Sequence, residues 1–283
     1  MKVLPFKIPK SESDALIFQE DRAVVFYSQL HQHKEVQISF IAKGTGTLIV
    51  GDKLNEYRTN DIFVIGEYVP HVFKSDPLVQ TESLMYTLFF DKKCLESNFF
   101  YLSESMDIQE FFDRAVMGIK VQTKKAQLAD IFGQLKDQNK IERIASLLHI
   151  INTINQAETI SLSNYKYQRK YTDKEGKRMN VVFNHVIENY QNTISLEEIS
   201  EKANMSKNAF CRYFKKRTNK TFIQFLIEIR IDQACKLLYK FHERSIATIA
   251  VQCGFQNTAN FNRKFKKLKG VTPSQFRSNP FQC

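Results

Sequence analysis

Early in the chain, apolar residues recur at every second position. Val36, Ile38 and Phe40 alternate with Glu35, Gln37 and Ser39, the period of a strand with one buried face. Short apolar runs follow at 46–50, 61–65, 72–73 and 84–90, parted by Gly44, Gly51-Asp52, Asn60-Asp61, Gly66 and Pro70, residues that turns demand. Many short strands at close spacing predict a small barrel or jelly roll over residues 1 to about 103. The period then lengthens. Ile108, Phe111, Phe112, Ala115 and Ile119, then Leu128, Ile131, Phe132 and Leu135, then Ile141, Ile144, Leu148, Ile151 and Ile154 fall at three- and four-residue steps. That spacing predicts amphipathic helices between 104 and 162, able to cap the barrel or to pack against a second copy of the chain. Residues 161–177 are polar and aperiodic and read as a linker.

Beyond the linker the pattern is helical and duplicated. A helix over 179–190 buries Val182, Phe183, Val186 and Ile187. Ser195 reads as an N-cap, with Glu198 completing a capping box. Leu196, Ile199 and Ala203 face inward, Asn204-Met205 makes a turn, and Ser206 opens a helix to about 217 that buries Phe210 and Phe214. A long helix over 222–239 buries Phe225, Ile229, Ala234, Leu237 and Leu238 and exposes Arg230 and Lys236. The scheme then repeats: Ser245 opens, Ile246, Ile249 and Ala250 pack, Gly254 turns, and Asn257 caps a helix over 258–267 that buries Phe261 and Phe265. Phe210, Arg212, Phe214, Lys215, Lys216 and Thr221 match Phe261, Arg263, Phe265, Lys266, Lys267 and Thr272 at one offset of 51 residues. Two helix-turn-helix units are expected, each with a basic second helix. The fold class is α+β, with domains at 1–162 and 178–283 joined by a linker at 163–177.

Charge sharpens this division. Residues 178–283 hold 18 Lys and Arg against 7 Asp and Glu, a net of +11, which is the net charge of the whole chain. A basic domain attached to a neutral one points to a polyanion binder joined to a module with another task. Five cysteines (Cys94, Cys211, Cys235, Cys253 and Cys283) form no CxxC pair, which favours reduced thiols in a cytoplasmic protein over a disulfide frame or a zinc finger. The opening MKVLPFKIPK lacks a signal-peptide core, and no stretch approaches the ~18 apolar residues of a membrane span. No nucleophile–base arrangement, phosphate-binding glycine loop or Walker signature offers a catalytic site, so no catalytic residue is expected.

His31-x-His33, Gly44-x-Gly46, Gly66 and Pro70-His71 make the first domain similar to the sensor domain of a cupin. In metal-binding cupins, two histidines on one strand face, a downstream carboxylate and a third histidine converge inside the barrel, and imidazole suits first-row metals. Here Gln37 stands where the carboxylate is expected, and Glu35 comes two residues early. His31, His33, Gln37 and His71 are therefore expected to line a small-molecule effector pocket or a solvated strand face, with no cofactor. The alternative is a metal-dependent cupin enzyme carrying a DNA-binding domain.

From about 182 to 277 the chain resembles the DNA-binding domain of the AraC/XylS family of bacterial transcription regulators. The match is carried by Ile249, Ala250, Gly254, Phe255, Phe261, Arg263, Phe265, Lys266, Lys267, Gly270, Val271, Thr272, Pro273, Ser274, Phe276 and Arg277. Asn219 stands where the first unit usually has glycine. The resemblance implies a DNA-binding regulator, an activator that recruits RNA polymerase, and no enzyme. It places Asn208, Cys211 and Arg212 of the first unit and Thr258, Ala259, Asn262 and Arg263 of the second on bases in successive major grooves. Lys207, Lys215, Lys216, Lys266 and Lys267 are expected on phosphates. Duplex DNA, an effector and a second copy docking through the 104–162 helices are the expected partners.

Overall fold

The computed structural model describes residues 16–26, 30–75, 82–93, 95, 105–164, 173–218 and 220–278. The chain divides into two compact units, Met1–Gly176 and Lys177–Cys283.

The first unit is built on two antiparallel sheets. Its strands are β1 (Leu16–Ala23), β2 (Val36–Lys43), β3 (Gly46–Val50), β4 (Lys53–Tyr57), β5 (Ile62–Ile65), β6 (His71–Ser75), β7 (Ser83–Phe90), β8 (Ile119–Val121) and β9 (Thr159–Ser161). Six of them pair in the order β1-β7-β2-β5-β8-β9 and three in the order β4-β3-β6. Alternation along β2 gives the larger sheet two distinct faces. Val36, Ile38 and Phe40 pack with Phe111, Phe112, Leu128, Phe132, Leu147 and Ile154 of the helices α1 (Ser105–Ala115), α2 (Lys125–Gln134) and α3 (Lys140–Asn155). Ile41, with Phe63, Ile65 and Met85, turns to the other side. There it shares a core with Leu48 and Val50 of β3, Tyr57 of β4 and Phe73 of β6.

Three expectations need correction. The apolar step that reached Ile119 does not continue a helix: α1 ends at Ala115, Gly118 takes a left-handed φ of 68°, and Ile119 enters β8. There it pairs with Val64 on one side and Ser161 on the other, so the stretch read as all helix completes the larger sheet. The linker also starts later than expected. Leu162 and Ser163 are buried, and Ser163 Oγ donates to Asp52 Oδ1 at 2.6 Å. Nor does it run to 177, because a helix, α4, spans Asp173–Asn189. Finally, the expected stripe of the 141–154 helix is split: Ile151 and Ile154 are buried while Ile141 is 79% and Ile144 45% exposed.

The second unit is all helical among the described residues. After α4 come α5 (Leu196–Lys202), α6 (Lys207–Thr218), α7 (Phe222–Lys240), α8 (Ile246–Gln252), α9 (Thr258–Lys269) and α10 (Pro273–Ser278). Phe183, Phe210, Phe214, Phe222 and Phe225 form one aromatic cluster, with ring centroids 4.8–6.4 Å apart. A second core gathers Ile249, Ala250, Phe255, Phe261, Phe265 and Phe276. Helix α7 serves both, giving Phe222 and Phe225 to the first and Ile231, Ala234, Cys235 and Leu238 to the second.

Candidate nucleic-acid interface and a buried histidine cluster

Each helix-turn-helix unit is set by its caps. Ser195 Oγ accepts from Glu198 N at the start of α5, and Ser245 Oγ from Thr248 N at the start of α8, both at 3.0 Å. These side-chain oxygens satisfy amides that helix geometry leaves without partners. Glu198 does not complete the expected capping box. Its carboxylate Oε1 lies 2.7 Å from His185 Nε2, tying α5 to α4. The turns place Asn204 at φ 52° and Gly254 at φ 80°. Asn257 Oδ1 then accepts from Asn260 N at 3.1 Å to open α9, and Ser206 Oγ lies 3.4 Å from Ala209 N to open α6. Further on, Thr221 with Gln224 and Thr272 with Gln275 exchange side-chain and backbone bonds. Asn219, singled out as a departure, lies outside the described residues.

The repeat is not uniform. Its opening caps, Ser195 and Ser245, and its turn residues, Asn204 and Gly254, stand 50 apart, whereas α6 and α9 begin 51 apart. The second turn therefore holds one extra residue between Gly254 and Asn257. A residue-by-residue match of the second helices alone does not reveal it.

On α6 and α9 the phenylalanines point inward and the polar residues outward. Phe210, Phe214, Phe261 and Phe265 are fully buried. Lys207, Asn208, Arg212, Lys215 and Lys216 are exposed on α6, and Cys211 is half-buried. On α9, Ala259, Asn262, Arg263, Lys266 and Lys267 are exposed and Thr258 is half-buried. All twelve residues expected on DNA thus lie on two second helices of one unit. Two carry internal partners: Lys207 is engaged by Glu197 of α5, which raises the lysine's pKa and lowers the glutamate's, and Arg263 Nη2 donates to Asn260 Oδ1 at 3.1 Å.

Arg230, expected to be exposed, is half-buried. Its Nε donates to Tyr190 O and its Nη2 to Asn192 O, each at 2.8 Å. Cys253 lies beside it in the second core, where burial pushes the thiol up to about 12, so it stays protonated and unreactive at neutral pH.

In the first unit His31, His33 and His71 come together, with ring centroids 4.4–5.9 Å apart. His33 and His71 are buried, which excludes the solvated strand face. Burial lowers both pKa values, that of His71 well below the ordinary imidazole value with the neighbouring histidine charges adding to it. Each ring directs Nδ1 at a main-chain carbonyl, Glu35 O and Val69 O, at 2.8 Å. A carbonyl only accepts, so Nδ1 carries the proton and Nε2 the lone pair. Both Nε2 atoms face the side-chain amide of Gln37, at 3.0 and 2.9 Å from its Oε1. A neutral network is complete when the NH2 end of that amide faces them, since the two ends are assigned from such partners. The strip continues inward through Ser39 Oγ, 2.8 Å from the Gln37 amide, to Thr87 Oγ1 at 3.0 Å. The three imidazoles, with ligand atoms within 4.8 Å of one another, supply a nitrogen donor set that suits a first-row metal.

A family model described as a helix-turn-helix domain matches residues 199–279. Across 89% of its length the chain is 25% identical to an uncharacterized HTH-type transcriptional regulator, YdeC, of Bacillus subtilis (strain 168), covering 86% of that protein. It is 22% identical to the HTH-type transcriptional activator RhaR of Mannheimia succiniciproducens, over 88% of this chain and 87% of the relative. Among solved structures, the C-terminal domain of the two-component response regulator yesN from Fusobacterium nucleatum is 31% identical. That likeness covers 36% of this chain and 98% of the other, with a TM-score of 0.34. Residues 199–279 thus form a helix-turn-helix domain of the AraC type, and over most of its length the chain is similar to HTH-type transcriptional regulators.

Proposed function

We propose that this regulator reads duplex DNA in sequence-specific fashion with α6 and α9 in successive major grooves, under control of a small molecule bound in its first unit. One observation carries the reading: two second helices share the same buried phenylalanines yet turn exposed Asn, Arg and Lys residues to solvent, within the domain that holds the chain's entire net charge. Two such helices about one turn of DNA apart, ~34 Å, can read successive grooves from one face of the duplex. Asn208, Cys211 and Arg212, and Thr258, Ala259, Asn262 and Arg263, are the proposed base contacts. Arg suits guanine, Asn adenine, and the Thr and Ala methyls thymine. Lys215, Lys216, Lys266 and Lys267 serve phosphates, and Lys207 does so after leaving Glu197.

The first unit is proposed to be a cupin-like jelly roll. Two antiparallel sheets sharing one core support this, and the buried strip of His33, Gln37, Ser39 and Thr87 is the proposed effector-facing surface. The outward Ile141 and Ile144 of α3 favour docking of a second copy. Activation accords with the name of RhaR, a transcriptional activator, and RNA polymerase is the proposed partner for it. Among the described residues no helix is long and apolar enough to cross a membrane, which accords with a cytoplasmic regulator. The named relatives are regulators, which points away from an enzyme. Convergence of His31, His33 and His71 favours a metal centre as a second reading of the first unit. Selection of bound duplexes from a random library tests DNA reading, and no enriched sequence would refute it. Metal analysis of the purified chain decides the second reading: stoichiometric metal lost in His71→Ala would establish it, and its absence would leave the hydrogen-bonded strip.

A further inference from the structure

Two reading helices engage neighbouring grooves together only if the helix pairs that carry them keep a fixed relation. Arg230 stands on α7 between Phe225 of the first core and Ile231 of the second. Its two donated bonds go to Tyr190 O and Asn192 O, in the segment that leaves α4 and enters the first helix-turn-helix pair. Its Cζ lies 5.9 Å from the ring centroid of Phe255, in the turn of the second unit. Gly254 of that same turn is pressed against the junction. A Cβ there would stand 2.6 Å from Tyr190 O, 2.8 Å from Gln191 O and 2.9 Å from Arg230 Nε. Its counterpart Asn204 is exposed.

The chemistry suits this position. A guanidinium offers several N–H groups in a rigid fork, whereas an ammonium is a single point that cannot reproduce two divergent bonds on a fixed backbone. Tyr190, whose carbonyl accepts one of these bonds, directly follows the C-terminus of α4, where the helix's partial negative charge offsets the cost of half-burying the cation.

We propose that Arg230 is a positioning residue for DNA reading: it ties the second helix-turn-helix unit to the segment entering the first, and so sets the base-pair spacing at which both reading helices engage. The inference rests on the DNA-reading function proposed above. A rigid tie makes the second contact effectively intramolecular at one spacing, and a loosened tie spreads it over several. Inserting one base pair moves the second box by about 3.4 Å and turns it by about 35°.

The test uses the full chain and a duplex that it enriches from a random library, with one base pair inserted between the two boxes. The readout is the spacing penalty, the ratio of Kd on the altered duplex to Kd on the selected one, which does not depend on the active fraction. Wild type is expected to pay about a hundredfold. Arg230→Met, which keeps an apolar stem and loses both donated bonds, is expected to bind the selected duplex about tenfold more weakly and to pay only about threefold for the insertion. Arg230→Lys gives an intermediate penalty and serves if the Met variant does not fold. Gly254→Ala works on the junction from the other side and should shrink the penalty as well. An unchanged penalty in the Arg230 variants overturns the proposal, whatever the loss of affinity. Equal loss on both duplexes with a salt slope reduced by about one unit also overturns it, by marking Arg230 as a phosphate contact. If wild type enriches no two-box duplex, reading by both helices in successive grooves falls, and this inference with it.

Discussion

The two helix-turn-helix units are alike inside and different outside. Phe210 and Phe214 in the first do the work of Phe261 and Phe265 in the second, and all four are fully buried. Outward, Asn208, Cys211 and Arg212 stand against Ala259, Asn262 and Arg263, and the turns differ by one residue. Packing dictates the interior because each short helix pair needs the same aromatic wedge to bury one face. Nothing in folding dictates the exterior, so the outward residues are free to differ by what they read. The expected DNA target is therefore directional.

The interior half of this comparison breaks at a phenylalanine. Phe210→Ala and Phe261→Ala should each cost about 3–5 kcal/mol of folding stability, measured by chemical denaturation, and a wide disparity between them would deny that the two cores are equivalent. The turns should respond unequally. Gly254→Ala puts a Cβ at positive φ and 2.6 Å from Tyr190 O, a cost of about 1–3 kcal/mol. Asn204→Gly, exposed and already left-handed, should stay within about 0.5 kcal/mol. Similar melting temperatures for these two variants would remove the asymmetry.

The exterior half is tested on DNA. Arg212→Ala and Arg263→Ala should each lose about 1–3 kcal/mol of discrimination between the selected duplex and random duplex, at base positions in different boxes. Equal loss on selected and random duplex would reassign them to phosphates. Smaller is the effect at Lys266: its removal should weaken binding to every sequence and reduce the salt slope by about 0.9. Lys207→Ala should reduce that slope less, because Glu197 already holds the lysine.

The helix-turn-helix pair was legible in the sequence because phenylalanines four apart, caps and turn residues all repeat on a helical period. What sequence reading missed has no period. β8 and β9 are three residues long, too short for alternation to register, and they are held by pairing, β8 on the edge of β5 and β9 on β8. Arg230 was read as exposed because its partners are main-chain carbonyls about 40 residues away, which leave no mark on residue choice. The Glu198–His185 contact defeated the capping box in the same way: a local pattern gave way to a partner supplied by tertiary structure. In the first unit, the resemblance to a cupin sensor domain singled out His31, His33, Gln37 and His71 together. It did not show that the Gln37 amide would lie between two buried imidazoles, with Ser39 and Thr87 continuing the chain of bonds.

The claim that one scaffold is used twice to read two different boxes is tested most directly by sequencing the duplexes that the wild-type chain enriches from a random library. The account predicts one asymmetric consensus with two unlike boxes whose centres lie about 10 base pairs apart. A consensus made of one box repeated, or of a single box alone, would contradict it.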